Sequence, residues 1–367
     1  MGKRTLLFSL LLLNAIWVCT FFGVVDPLPL GGSGGESNKE LPIGERFEQE
    51  FFGRSFLVRL RNQLHYSLFA EIHTENVIQG PSGLLFEENY LLAAQGADAI
   101  SNEQITARMD LWEAVVQSTG VEHKLLLAPG KAAIVDTSMW PKSHRKPKGE
   151  GYNTNYYNVK KWLKHRDSID VLDCMERFME SDTDELLSFP TNGIHWSQFS
   201  ISLLLHELLD DLPGIHSEIL DTILCDPYGT DEDIEHSMNL LLNLKDAQSY
   251  RLVTEVQREG EPPRILIIGD SFAWGFVNDN LLKLAGDSSE FWYYNRQRFG
   301  PSVIDKGESV FQALAMKDFQ SFCEAVSKFD RVYWVVTDAN LRMFPFQAEK
   351  IGLDLFTDTE LTEDIGQ

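Results

Sequence analysis

The chain of 367 residues is short of cysteine and of positive charge, with only four Cys. Four thiols cannot staple a chain of this length, which excludes a disulfide scaffold. Cys19 falls inside the apolar N-terminal run. Cys174, Cys225 and Cys323 lack the spacing of a metal site and read as core thiols, with one incidental disulfide as the alternative. Lys and Arg total 32 against 55 Asp and Glu, a net charge of −23. A surface so poor in cations repels phosphate backbones, which excludes nucleic acid as a partner. Hydrophobic residues at 43% and charged residues at 24% are ordinary globular proportions, against wholesale disorder and against a multi-span membrane protein. No internal repeat is visible.

What is present begins at the N-terminus. Lys3 and Arg4 precede Thr5–Val25, an apolar stretch broken only by Ser9, Asn14 and Thr20. A helix of that length spans roughly 30 Å, one bilayer core. No small-residue cleavage site precedes Asp26-Pro27, so an uncleaved signal anchor is expected, a single transmembrane helix with its cations in the cytoplasm and the rest of the chain exported. Residues 1–27 are therefore the anchor. Residues 28–45, with Gly31-Gly32-Ser33-Gly34-Gly35, are a flexible tether, residues 46–350 a folded body, and 351–367 an acidic tail.

Within the body, Phe51, Phe52, Phe56, Leu57, Leu60 and Leu64 recur at helical spacing, which predicts an amphipathic helix. Val77-Ile78 and Leu84-Leu85-Phe86 flank Gly80-Pro81-Ser82-Gly83, a hairpin pattern. Helices are expected over 101–119, ending near His165, and over 199–211. Short apolar strands are expected at 124–128, 169–172, 264–268 and 332–336. Apolar strands separated by helices predict an α/β fold, with a mostly parallel sheet covered on both faces. Asp221 to Glu235 reads as a solvated acidic insertion. Lys142, His144, Arg145, Lys146 and Lys148 form a basic loop, either simply solvated or a docking patch for an anionic glycan.

Two loops carry chemistry. Ile265-Leu266-Ile267-Ile268-Gly269-Asp270-Ser271-Phe272 is a buried strand running into a small polar turn. In a parallel sheet such a turn opens at the carboxyl edge, where sites form. Ser271 there is either a nucleophile, with turn amides for an oxyanion, or the cap of the next helix. The second loop is Phe189-Pro190-Thr191-Asn192-Gly193-Ile194-His195-Trp196-Ser197. A His beside a Trp is half-buried and orientable, which suits a general base, although a lone His is more often structural.

Gly269-Asp270-Ser271-Phe272 with the upstream His195-Trp196 resembles the SGNH-hydrolase-like domain of the alginate O-acetyltransferase family, anchored or exported bacterial proteins that acetylate polysaccharides. The resemblance covers most of the body. Val77–Gly80 with Gly83–Phe86 is similar to the family's opening hairpin, Leu127-Ala128-Pro129-Gly130-Lys131 to its first sheet strand and following turn, Asp170–Asp173 to the strand before the His loop, and Phe291–Asn295 to a later segment. His195 precedes Ser271, the order of the acetyltransferase branch. The resemblance implies a three-layer α/β/α fold and acyl transfer without metal or organic cofactor. Ser271 carries the acetyl group, His195 is the base, and the Ser271 amide donates to the oxyanion. Asp270, Asn295 and Arg296 are implied near the oxyanion or substrate. The implied partners are a polysaccharide acceptor and a membrane-bound O-acyltransferase that delivers the acetyl donor. The implied location is the bacterial inner membrane, single-pass, with the domain periplasmic. One position departs from the pattern. Where the family's loop has Asp two residues before its His, this chain has Gly193, so the triad reads as a dyad unless Asp182 or Asp184 folds in. An esterase and a non-catalytic glycan-binding scaffold of an exopolysaccharide complex remain the alternatives.

Overall fold

The computed structural model describes residues 54–145, 153–166, 169–180, 188–224, 233–242, 244, 250–279, 281–286, 288–300, 312–313 and 318–347. The expected anchor, tether and acidic tail, Cys19, Cys225, Asp182, Asp184, Lys146 and Lys148 lie outside the described residues. No described helix is long and apolar enough to cross a membrane.

The chain divides into two compact units. The described part of the smaller is the amphipathic helix Arg54–Phe69, the residues 70–73 that follow it, and residues 238–242. Arg59 donates to the Leu240 carbonyl at 2.6 Å and Asn62 to that of Met238 at 3.1 Å, while the Leu242 amide donates to Gln63 at 3.0 Å. These side chains satisfy main-chain groups that have no sheet or helix of their own.

The larger unit opens with the expected hairpin, β1 (Val77–Gln79) and β2 (Leu85–Glu87), paired antiparallel. Its centre is a seven-stranded sheet. In chain order the members are β3 (Glu122–Ala128), β4 (Asp170–Asp173), β7 (Ile265–Gly269), β8 (Glu290–Tyr293), β9 (Gln297–Phe299), β10 (Gln312–Ala313) and β11 (Arg331–Thr337). Across the sheet they run β10-β9-β8-β7-β11-β3-β4. Neighbours from β8 to β4 are parallel, while β9 and β10 pair antiparallel at the edge.

Alternation along the strands makes the layers, because successive side chains point to opposite faces. Leu126, Ile265, Ile267, Tyr333 and Val335 enter one core with the helices Cys174–Glu180 and Gln198–Asp210. Leu125, Leu127, Leu266, Ile268, Trp334 and Val336 enter a second with Asn102–Thr119, Asn155–Leu163 and Phe319–Val326. Both faces are covered, as the runs of apolar residues predicted. The helix ends follow local chemistry. Ser101 and Gln104 form a capping box at Asn102, and Gly120, left-handed at φ 68°, ends that helix.

Asp221–Leu224, the described start of the stretch read as a solvated acidic insertion, are exposed, and they end a strand. The strand is β5 (Ile215–Leu224), paired antiparallel with β6 (Tyr250–Arg258) in a separate two-stranded ribbon. The end of β5 is exposed on both faces, Ile219, Leu220, Ile223 and Leu224 included, so its residues show no period that marks a strand. Cys174 and Cys323 are buried free thiols, as read from the sequence.

Candidate functional site

Ser271 follows β7 at the carboxyl edge of the sheet, at the head of the short 3-10 turn Ser271–Ala273. The turn is tight because Gly269 lies against β11. A Cβ there would come within 2.8 Å of the Ala273 Cβ and 3.0 Å of the Val335 carbonyl oxygen. Asp270 caps the turn, accepting from the Phe272 amide at 3.1 Å. Its other oxygen accepts from the Thr337 amide at 2.8 Å, the Thr337 hydroxyl at 2.8 Å and the Asn340 amide group at 2.9 Å. Asp270 is fully buried. Burial raises its pKa, and the donors from Asn340, Thr337 and Phe272 oppose that rise. A buried carboxylate that only accepts is a brace between β7 and β11, so its place is beneath the turn and not among the groups that would donate to an oxyanion.

Beyond β8 the chain reverses through Tyr294 and Asn295, at φ 49° and 53°, and Arg296 donates its amide to the Tyr293 carbonyl at 2.9 Å. Two consecutive left-handed residues make the tight hairpin turn that matches sheet twist. Asn295 is buried, and its amide group donates to the carbonyls of Pro345 and Phe346, both at 3.1 Å. Arg296 is exposed. The turn aims Tyr294 instead. Its hydroxyl accepts from the Asn340 side-chain amide at 3.3 Å, and the Ser271 main-chain amide nearby favours its ionised form. Burial and then the Asp270 charge raise the phenol's pKa, which keeps it neutral. The Asn340 amide thus donates to an oxygen that lies beside the Ser271 turn. Sequence reading named neither Tyr294 as a site residue nor Asn340. The available signal for Asn340 was a polar run, Thr337-Asp338-Ala339-Asn340, directly after a buried strand.

His195 arrives from outside the sheet. Its loop closes where the Ser197 amide donates to the Ser188 carbonyl at 2.9 Å, and Ser197 then caps the helix Gln198–Asp210. The Thr191 carbonyl accepts from the Leu85 amide at 2.9 Å and from the buried Lys131 ammonium at 3.3 Å, tying the loop to β2 and to the turn after β3. Half-buried, the His195 ring meets Phe272, the residue after Ser271, edge-on at 5.0 Å between centroids. Tyr90, Phe189 and Trp196 also pack on Phe272, at 5.9, 6.4 and 5.3 Å. Phe272 thus packs between the two loops, and Trp196 reaches on to Phe276 at 5.2 Å. Gly193 is buried. By contrast His123, inside β3, is held by Thr119 and Trp334, and burial pushes its pKa down to about 4, the behaviour of a core histidine.

Asp338, just after β11, joins the pieces. It accepts from the Gly130 amide at 3.0 Å and the Ala339 amide at 2.8 Å, and burial pushes its carboxyl up to about 7. Arg145 of the basic loop donates to the carbonyls of Trp140 and Ser138, a structural use of one cation read as a docking group. A cleft of about 910 Å³ beside β4, lined by Lys160, Lys164, His165, Arg166 and Asp173 among others, contains neither Ser271 nor His195.

No family model and no curated protein matches the chain. Among solved structures it is similar to the O-acetyltransferase domain of Pseudomonas putida AlgJ, at 16% identity and TM-score 0.43 over 77% of this chain and 96% of that one. Bacillus cereus PatB1 gives 12% and 0.44 over 72% and 96%, and Pseudomonas aeruginosa AlgX 14% and 0.35 over 72% and 65%.

Proposed function

We propose that the chain is an O-acetyltransferase that acts on the hydroxyls of an exported polysaccharide through an acetyl-Ser271 intermediate. The observation that carries this reading is the packing of His195 on Phe272, the residue after Ser271, with the Asn340 amide donating to the Tyr294 hydroxyl beside the same turn. The Ser271 main-chain amide and the Asn340 amide are the two N–H groups that would hold the oxygen of a tetrahedral intermediate. In the reaction the acyl carbonyl oxygen takes the place of the phenol. His195 accepts the Ser271 proton as Oγ bonds to the acetyl carbon, then returns it to the departing donor oxygen. In the second half His195 takes the proton of a sugar hydroxyl, which attacks the acetyl carbon, and Ser271 leaves and regains its proton. Export rests on Lys3, Arg4 and the apolar run after them, and delivery of the donor through a membrane-bound O-acyltransferase belongs to the same proposal.

The test uses the full chain with an activated acetyl ester, with and without an oligosaccharide acceptor. Acetylation that depends on the acceptor is expected, and hydrolysis alone would make the chain an esterase. Ser271→Ala is expected to lose at least about 1,000-fold of the rate with its melting curve unchanged. His195→Ala should be nearly as severe, and Gly193→Asp should keep or raise the rate by adding a carboxylate next to the imidazole. A Ser271→Ala rate equal to wild type would end the assignment.

A further inference from the structure

The smaller unit holds a cluster that the acyl-transfer reading does not use. His65 lies in the last turns of the helix Arg54–Phe69, and the chain leaves that helix through Ala70 in the left-handed conformation, φ 54°. The Ala70 amide donates to the Tyr66 carbonyl at 3.0 Å and the Glu71 amide to the His65 carbonyl at 3.3 Å, so the next residues fold back over the helix end. This reversal brings the Glu71 carboxylate to 2.8 Å from His65 Nδ1. Two residues later the His73 ring stands edge-on to His65, 4.5 Å between centroids. One donor atom from each of His65, Glu71 and His73 lies within 4.8 Å of the other two.

We propose that His65, Glu71 and His73 bind one divalent transition-metal ion of the zinc class. The donor set decides the class. Two imidazole nitrogens and one carboxylate oxygen suit Zn²⁺, whereas Mg²⁺ and Ca²⁺ call for oxygen donors throughout. Zinc with ligands at about 2.0–2.2 Å needs donors roughly 3.3–3.5 Å apart, so the present spread is closed by side-chain rotation. Glu71 and His73 are exposed, which leaves that rotation open to them. The site also sits at a helix C-terminus, where unpaired carbonyls favour a cation. A His65–Glu71 pair alone would be an ordinary surface contact worth little. The third donor, delivered by the same turn, makes the group a chelate spaced H-x5-E-x-H. Three protein donors leave the fourth tetrahedral position to water.

The experiment titrates Zn²⁺ calorimetrically into the untagged, chelator-stripped full chain, independently of any acyl chemistry. One equivalent is expected. Its affinity should fall at least about tenfold in each of His65→Ala, Glu71→Gln and His73→Ala, and stay within about threefold in His165→Ala, a control at another exposed histidine. Mg²⁺ at the same concentration should give no such equivalent. Co²⁺ should produce a visible absorption band in the wild type that the His65→Ala/His73→Ala double variant lacks. Melting curves of the metal-free Glu71→Gln and His73→Ala variants are expected to match wild type, because those exposed positions carry little packing. The site is refuted if wild type binds no Zn²⁺, if the double variant keeps the equivalent, or if any one of the three single variants binds as tightly as wild type.

Discussion

The Ser271 turn and the His195 loop are held in different ways. The turn is a covalent continuation of β7, and its brace, Asp270, takes four hydrogen bonds, from the turn itself, from the end of β11 and from Asn340 just beyond it. Its position is set by sheet register, which pairs Gly269 with Val335. The loop is hung on the sheet from outside, by the Thr191 carbonyl and by rings packed on Phe272. The nucleophile should therefore be as stable as the fold, while the base can be displaced with the fold intact. That difference gives the reading of the site three further tests.

The largest effect is expected from Asp270→Ala. It strands the buried amides of Phe272 and Thr337 and the Thr337 hydroxyl, each worth about 1–3 kcal/mol when unpaired. A loss of roughly 4 kcal/mol in urea unfolding is expected, with activity lost alongside stability. A change under about 1 kcal/mol would show that register alone holds the turn.

Lys131→Met tests the other arm. The lysine is 3% exposed, and its ammonium donates to the Leu85 carbonyl at 2.9 Å and to Thr191 of the loop. Methionine keeps the stem and removes a buried charge. The relief of desolvation offsets the lost hydrogen bonds, and stability should move by less than about 1 kcal/mol. The acyl-transfer rate should nonetheless fall about tenfold, through kcat, as the loop loses its latch. Equal losses in rate and stability would erase the distinction between the two arms.

The same contrast explains what could be read in advance. The strand Ile265–Gly269 was legible because an apolar run ending in a small polar turn has one reading in a parallel sheet, and Ser271 came with it. The loop was legible only through the resemblance, since nothing in its residues says that Phe272 is where it lands. Asn340 was out of reach for a topological reason. It follows β11, which lies beside β7 in the sheet but is separated from it by three strands along the chain, and strand order is not written in local pattern. Tyr294 follows β8, the next strand after β7, and nothing local marked its hydroxyl as facing the Ser271 turn. Asn295 was selected by nearness to the same segment, yet its amide serves the carbonyls of Pro345 and Phe346. The end of β5 was hidden because its exposed residues show no strand period.

Asp338 is where the two arms meet, and it gives the smallest and most specific test. Through one oxygen it holds the Gly130 amide, next to the lysine that latches the His195 loop. Burial raises its carboxyl from 3.8 to about 7. Between those values the folded chain holds a proton that the unfolded chain has lost, so this group costs stability progressively as pH rises from about 4 to about 7, and the cost is complete above that. Asp338→Asn keeps an acceptor for the Gly130 and Ala339 amides and removes the titration. The variant should therefore gain on wild type as pH rises, by on the order of 1 kcal/mol between pH 5 and pH 7 once partial solvation is allowed for. Urea unfolding at the two pH values measures it. A difference between variant and wild type that stays flat across that range would mean that Asp338 is ionised throughout in the folded chain, and that the junction between the arms is held by a charge and not by a neutral acid.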